Sequence, residues 1–195
     1  MATPAPIIPH PDAEAFRKRL GSRSIVLVGM PGSGKSSIGR RLGQRLGLDF
    51  SDADAEIERA ANMTIPELFE TKGEAAFRQG EQKVIARLLE AGPQVIATGG
   101  GAFMNVDTRA RIRDRGVSVW LKADVATLLK RVKRKSNRPL LQTADPEATL
   151  RNLLAAREVT YGEADLCITS CEVPHEIVVE EIVTLLGGAI VETGQ

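Results

Sequence analysis

Short apolar runs recur along the chain, separated by longer stretches in which apolar residues follow helical spacing. The run at residues 24–28, Ser-Ile-Val-Leu-Val, is almost continuously apolar. Such a run is typical of a strand that is buried on both faces of a parallel sheet. Four further short segments are predicted as strands, at residues 48–51, 94–97, 116–121 and 165–168.

Helices are predicted between these strands. After the first strand, Ile38, Leu42 and Leu46 fall on one helical face. Gly92-Pro93 predicts the end of a helix, and Pro146 suits the first turn of another. Strands that alternate with helices predict an α/β fold, in which helices cover both faces of a parallel sheet. The predicted helices cover residues 12–20, 35–46, 54–61, 64–71, 73–91, 105–115, 124–135, a segment from 146 and residues 174–186.

The composition fits one globular domain. The chain has 195 residues, of which 43% are hydrophobic and 26% are charged. Its formal net charge of +1 argues against nucleic-acid binding through bulk electrostatics, and no nucleic-acid partner is expected. We assign the domain to residues 22–187, after a proline-rich and partly flexible arm at 1–21 and before a tail at 188–195.

The N-terminal arm lacks the basic region and following apolar region of a secretory signal. No apolar run approaches the ~20 residues that a membrane span requires, so we expect a cytoplasmic protein without membrane contacts. The two cysteines, Cys167 and Cys171, are too few for a disulfide framework, and we expect both to be reduced.

A P-loop motif, Gly29-Met-Pro-Gly-Ser-Gly-Lys-Ser36, lies directly between the first strand and an amphipathic helix. Its glycines let backbone N–H groups point into one concavity at the positive end of that helix, where phosphate oxygens bind. Lys35 adds a positive charge for the β- and γ-phosphates, and Ser36 offers a hydroxyl to Mg²⁺. A glycine-rich turn that binds nothing is the alternative. The expected ATP-binding residues are Gly32, Ser33, Gly34, Lys35, Ser36 and Ser37.

Two carboxylates, Asp52 and Asp54, follow the second predicted strand, at the sheet edge where open α/β folds bind ligands. One residue apart in an extended segment, their side chains point in different directions. One can therefore reach Mg²⁺ or its water shell, while the other accepts hydrogen bonds from a substrate hydroxyl. Capping of the next helix by one of them is the alternative.

Arg78 lies beside the apolar face of a predicted helix. Its planar guanidinium can clamp a substrate carboxylate with two parallel hydrogen bonds. A surface ion pair with Glu74 or Glu81 is an equally good interpretation, and the sequence leaves the choice open.

The third predicted strand ends in Thr98-Gly-Gly-Gly101, on the same sheet edge as the P-loop. Glycines let the backbone approach a ligand closely and offer it N–H groups. A plain tight turn is the alternative.

Residues 130–139 are strongly basic, which at first suggests nucleic-acid binding. However, this segment has no aromatic residue to stack on bases. We interpret residues 133–145 as a lid that closes over the ATP phosphates, with Arg138 neutralising charge on the transferred phosphoryl group.

Together these motifs resemble the shikimate kinase family over residues 22–187. A P-loop alone is shared by many families, whereas the ordered set of segments is specific. The matching segments are the P-loop, residues 50–58, 73–78, 98–101 and 138–141, and Arg157 with Tyr161 four residues later.

The resemblance implies a three-layer P-loop fold, with a five-stranded parallel sheet of order 2-3-1-4-5 and substrate-binding helices at about 53–91. It implies transfer of the ATP γ-phosphoryl group to the 3-hydroxyl of shikimate, in aromatic amino-acid biosynthesis. Arg78 and Arg157 would hold the carboxylate of shikimate. Asp54 would bind the ring hydroxyls and act as the base. The implied shikimate contacts are Asp54, Arg78, Gly99, Gly100, Gly101 and Arg157.

On the nucleotide side, the resemblance places Asp52 near Mg²⁺, Arg138 in the lid, and Arg131 and Pro174 on the two faces of adenine. The chain departs from the family at Cys171-Glu-Val, where members often carry basic residues. We expect a monomer that uses ATP and Mg²⁺. A gluconate-type kinase of the same fold is the nearest alternative, and a nucleotide-dependent regulatory protein is a more distant one.

Overall fold

The computed structural model describes residues 12–133, 145–170 and 173–192. Its five strands form one parallel sheet of order β2-β3-β1-β4-β5, which confirms the predicted order. Central β1 pairs with β3 on one side and β4 on the other. The strands are β1 Ser24–Val28, β2 Asp49–Asp52, β3 Gln94–Ala97, β4 Gly116–Lys122 and β5 Leu166–Thr169.

The predicted break between helices at 64–71 and 73–91 is confirmed, because Gly73, within the span α4, has a non-helical backbone with φ of 80° and ψ of 169°. Two helix ends differ from prediction. α6 ends at Val132 instead of about residue 135. α8 continues past residue 187, the predicted end of the domain. The helices are α1 Ala13–Leu20, α2 Lys35–Leu46, α3 Ala53–Ala61, α4 Ile65–Glu90, α5 Val106–Arg115, α6 Val125–Val132, α7 Pro146–Tyr161 and α8 His175–Glu192, with a 3₁₀ turn at Ala102–Met104.

The continuous apolar character of β1 follows from its central place in the sheet. Val26 and Val28 face one apolar cluster, which includes residues of α3, α4, α5, α6 and α7. Ile25 and Leu27 face the other cluster, built with α1, α2 and α8. Both faces of β1 are therefore buried, and the sheet is the middle of three layers.

Part of the predicted N-terminal arm is a packed element. Phe16 and Leu20 of α1 are buried in the cluster with α2 and α8. Arg17 donates a hydrogen bond of 2.9 Å to the Leu46 carbonyl at the end of α2. α1 thus supports the C-terminal end of the helix that begins at the P-loop.

Several predictions concern residues outside the described ranges. They are residues 1–11 of the arm, Arg138 with most of the predicted lid, and Cys171. Cys167 is a free, exposed cysteine. Within the described part of the chain, none of the helices has the length and apolar character needed to cross a membrane.

Candidate active site

The P-loop joins the end of β1 to the start of α2. Gly29, Gly32 and Gly34 have φ values of 136°, 87° and 100°, a region that side chains disfavour. A Cβ at Gly32 would also lie 2.8 Å from a methyl carbon of Val132. The loop therefore needs glycine for both conformation and space, and its backbone leads into the positive end of α2.

Lys35, the first residue of α2, folds back over this loop. Its ammonium donates hydrogen bonds of 2.8 Å to the Gly29 carbonyl and 2.9 Å to the Met30 carbonyl. The side chain is largely buried, so a positive charge is held against the loop by the loop's own backbone. This arrangement fits a polyphosphate, because the charge is in place before the ligand arrives.

Asp52 has a different partner on each carboxylate oxygen. Oδ2 accepts a 2.6 Å hydrogen bond from the Ser36 hydroxyl, and Oδ1 accepts a 3.1 Å hydrogen bond from the Asp54 backbone N–H. The second contact makes Asp52 the N-cap of α3, so the capping alternative describes part of its role. The Ser36 and Asp52 oxygens are hard donors of the kind Mg²⁺ prefers, and this pair fits that ion.

Asp54 lies in the first turn of α3, not in an extended segment as the sequence suggested. The change from strand to helix between Asp52 and Asp54 still sends the two carboxylates to different neighbours. Asp54 Oδ1 lies 2.9 Å from the point that a Cβ on Gly99 would occupy. The carboxylate of Asp54 therefore packs directly on the turn of three glycines, Gly99 to Gly101, that follows β3 and is called the glycine turn below.

The glycine turn after β3 is packed too closely for side chains. A Cβ on Gly100 would lie 2.7 Å from Cδ of Pro31 in the P-loop. A Cβ on Gly101 would lie 2.7 Å from Nη1 of Arg78. The turn is therefore the point where the P-loop and the helices α3 and α4 come together, which a plain tight turn would not require.

Arg157 and Tyr161, one turn apart on α7, both donate hydrogen bonds to the carbonyl of Gly100. The Arg157 bond is 3.1 Å long. Burial raises the pKa of Tyr161 to about 12, so its hydroxyl stays protonated and remains a donor at neutral pH. Tyr161 thereby fixes the turn, and Arg157 brings its guanidinium to the same place.

Arg78 forms ion pairs with both Glu74 and Glu81, the two partners that its sequence position suggested. Its Nη1 lies 2.8 Å from Glu81 and its Nη2 lies 3.1 Å from Glu74. Glu74 is exposed, but Glu81 is only 3% exposed. The ion-pair alternative is thus correct for the contacts of Arg78, while packing on Gly101 also places its guanidinium against the turn.

Glu81 is a site residue that the sequence showed only as a surface partner. Burial raises the pKa of its carboxyl group, and nearby Asp54 acts in the same direction. Arg78 and Arg157 oppose this shift. Its Oε1 lies 2.6 Å from the point that a Cβ on Gly99 would occupy. An Arg-x-x-Glu spacing was the available signal, but burial of the glutamate depends on the packing of α4 against the sheet edge.

Arg131, on α6, connects the P-loop to the end of β5. It donates a 2.9 Å hydrogen bond to the Ser170 hydroxyl, which itself donates a 2.8 Å bond to the Ser33 carbonyl. Neither Ser170 nor the neighbouring His175 was singled out from the sequence. Their proximity to the P-loop arises because β5 and β1 both pair with β4 and end on the same sheet edge.

One cavity of about 330 Å³ joins these groups. It runs from the P-loop past Asp52 and Asp54 to the glycine turn, and its other lining includes Arg131 and His175. The predicted residues that line it are Gly32, Gly34, Lys35, Ser36, Ser37, Asp52, Asp54, Gly100 and Arg131. The predicted residues Ser33, Arg78, Gly99, Gly101 and Arg157 do not line the cavity. Ser33, Gly99 and Arg157 contact residues that do, and Arg78 contacts Gly101. Pro174 is exposed directly before His175, and Arg138 is outside the described residues.

A P-loop at the switch point of a parallel sheet shares one cavity with Asp52, Asp54 and the glycine turn to which Arg157 is bonded. This arrangement defines a P-loop kinase for a small-molecule acceptor. The shikimate kinase family model matches residues 31–187. The chain belongs to the shikimate kinase family.

Individual relatives agree with this assignment. A shikimate kinase of Bradyrhizobium diazoefficiens is 59% identical over 181 residues, which are 93% of this chain and 87% of that protein. The structure of a shikimate kinase from Acinetobacter baumannii in complex with shikimate aligns with a TM-score of 0.85 and 38% identity, covering 90% of this chain and 97% of that one. A gluconokinase from Sinorhizobium meliloti shares the fold, with a TM-score of 0.56 and 20% identity over 88% of this chain and 95% of its own.

Proposed function

We propose that this protein transfers the γ-phosphoryl group of ATP to the 3-hydroxyl of shikimate, giving ADP and shikimate 3-phosphate for aromatic amino-acid biosynthesis. One observation carries the proposal: the P-loop and the Asp54–glycine-turn region open into the same cavity. A donor phosphate and an acceptor hydroxyl can therefore meet without crossing solvent. The likeness to the shikimate-bound Acinetobacter enzyme supports the choice of acceptor.

On the acceptor side, shikimate is a small carboxylate with vicinal hydroxyls. Arg78 and Arg157 carry the cationic forks that suit the carboxylate, and Asp54 suits the hydroxyls. The 3-hydroxyl oxygen attacks the γ-phosphorus, the bond from that phosphorus to ADP breaks, and the hydroxyl proton passes to Asp54. Because Gly99, Gly100 and Gly101 lack side chains, these groups can converge on the turn beside the acceptor.

On the donor side, the residues Gly32 to Ser37 cradle the phosphates and Lys35 offsets their charge. Ser36 and Asp52 would hold Mg²⁺, directly or through water. When bound, this ion would offset part of the negative charge of the phosphates. Arg131 and Pro174 flank the base, and Arg138 completes the neutralisation from the lid. The roles of these residues, the monomeric state and the cytoplasmic location stay predictions.

A coupled ADP-release assay with shikimate, gluconate and nucleoside monophosphates tests the proposal. We expect shikimate-dependent turnover far above the ATPase background, and background rates with the other acceptors. The acceptor half of the site is built for a carboxylate next to hydroxyls, which gluconate also offers, so gluconate is the most demanding control. Turnover with gluconate and none with shikimate would reject the assignment.

A further inference from the structure

His175 opens α8 and lines the same cavity as the P-loop, yet the phosphoryl-transfer scheme above gives it no role. It is half-buried. The charges of Arg41 on α2 and Arg131 on α6 act on its imidazole, which associates it with the P-loop helix and with the residue proposed to flank the base. A histidine is the side chain whose charge changes most readily near neutral pH, so its placement beside a polyphosphate site has consequences.

We propose that His175 is a nucleotide-binding residue whose imidazole takes up a proton when the polyphosphate binds. The inference rests on the proposed function only in requiring ATP or ADP in this cavity. It does not depend on which acceptor the enzyme uses.

The surroundings of His175 favour its neutral form in the free protein. Burial lowers the pKa of the imidazole, and the positive charges of Arg41 on α2 and Arg131 on α6 lower it further. Glu176 on α8 opposes this shift, but its carboxylate is engaged by Arg41 at 3.2 Å. The positive amino end of α8 also disfavours a cation at this position.

A bound nucleotide reverses this balance. Its phosphates bring several negative charges into the cavity that Arg131 and His175 both line. Charges that share a partly buried cavity are screened by salt much less than exposed ones. Imidazolium has two N–H donors, so the charged form can also make a charge-assisted hydrogen bond to the ligand. Protonation of His175 is then favourable in the complex and unfavourable without it.

The sign of the pH dependence follows. Below the pKa of the free protein, His175 is charged with or without ligand, and binding takes up no proton there. As the pH rises between the free and the bound pKa, affinity falls, by up to about tenfold for each pH unit that separates the two values. MgADP should therefore bind more tightly in mildly acidic than in mildly alkaline buffer.

The chain makes this easy to observe, because His10 and His175 are its two histidines. We would follow the histidine ring resonances of the full chain by NMR during pH titration, with and without saturating MgADP. In the His10→Asn variant, a single ring resonance remains and belongs to His175. We expect its midpoint to rise by at least about half a pH unit when MgADP binds.

Calorimetry gives a second readout. The ratio of MgADP dissociation constants between about pH 8 and about pH 6 should drop at least about threefold in His175→Asn relative to wild type, as linkage requires. The matched variant His10→Asn should keep the wild-type ratio. Because the NMR test uses His10→Asn, it remains decisive even where His175→Asn fails to fold.

A His175 midpoint that stays the same with and without saturating MgADP would overturn the inference, as would an unchanged affinity ratio in folded His175→Asn. These failures are distinct from failure of the proposed function. Shikimate-dependent turnover with an unmoved His175 rejects only the inference. A moved His175 without shikimate-dependent turnover rejects only the acceptor assignment.

Discussion

The donor and acceptor halves of the site are built in opposite ways. The phosphate-binding part that we propose for the donor half is one continuous segment, Gly29–Ser36, in which local conformation sets the direction of the backbone N–H groups. The acceptor half takes side chains from α3, α4 and α7, and these meet at the glycine turn after β3. A binding site formed by one segment depends only on the conformation of that segment. A site assembled from several helices depends on how each of those helices packs.

The two halves also differ in electrostatics. In the donor half, Lys35 is a cation that the loop carbonyls satisfy. In the acceptor half, Asp54 and the buried Glu81 both approach Gly99, and Arg78 and Arg157 compensate them. Burial of a carboxylate in the acceptor half therefore costs folding free energy, and Arg78 and Arg157 offset this cost only while they are in place.

The largest effect should come from disabling the donor half alone. We expect Lys35→Met to lower kcat at least about a thousandfold, because it removes charge stabilisation of the transferred phosphoryl group. Shikimate binding should survive, as measured through fluorescence of Trp120, the single tryptophan, whose ring stacks on Tyr161. Exposed Lys72→Met is the matched control. Wild-type turnover in Lys35→Met would contradict the phosphate-binding role.

The second-largest effect is expected where the two halves of the site meet, at the contact between Gly100 of the glycine turn and Pro31 of the P-loop. Gly100→Ala puts a methyl group 2.7 Å from Pro31, so either the P-loop or the glycine turn must shift. We expect about a hundredfold loss of kcat/KM, since misplacement of about 1 Å can cost that much, together with a lower melting temperature. Gly80→Ala on α4 meets no neighbour within 4 Å and should be neutral or slightly stabilising. Equal kcat/KM and equal melting temperatures for Gly100→Ala and Gly80→Ala would show that the contact between Gly100 and Pro31 can shift without loss of function.

A smaller effect is expected within the acceptor half. Arg157→Ala should raise KM for shikimate about 10- to 100-fold, because a hydrogen bond to a charged group is worth ~1.5–3 kcal/mol. KM for ATP should change little, which separates this variant from those of the donor half. Arg151→Ala, an exposed change on the same helix, is the control. An unchanged KM for shikimate would remove Arg157 from the carboxylate site.

The smallest effect separates function from stability in the acceptor half. Glu81→Gln should weaken shikimate binding a few-fold by releasing Arg78, on the scale of one hydrogen bond. Because burial raises the pKa of Glu81, the stability linked to its protonation is present at low pH and is lost as pH rises through that pKa. The variant should therefore melt at or above the wild-type temperature in mildly alkaline buffer, and this advantage should shrink on acidification.

Thermal unfolding of both proteins across this pH range measures the difference. Glu74→Gln, which changes the exposed partner of Arg78, should show no such pH-dependent advantage. A constant melting difference at every pH would mean that the Glu81 carboxylate carries no burial cost.

Much of the fold could be predicted because its signals are local. The buried run of β1 and the alternation of strands and helices predicted a covered parallel sheet. The predicted break between the two helices of residues 64–91 is confirmed for a local reason too, since Gly73 within α4 has a backbone that is not helical. The sheet order came from the family resemblance, since alternation of strands and helices does not rank the strands.

The proposed phosphate cradle could be predicted from local sequence, because glycine conformation, helix polarity and Lys35 act within eight consecutive residues. The sequence also named Asp52, Asp54, Arg78 and Arg157 as candidates. The contacts of those side chains could not be predicted: in the folded chain Asp52 is both helix cap and Ser36 partner, and Glu81 is buried behind Arg78. The reason is that burial and proximity across α3, α4 and α7 arise from packing on the sheet, which no local spacing encodes. His175 stands beside the P-loop for the same reason.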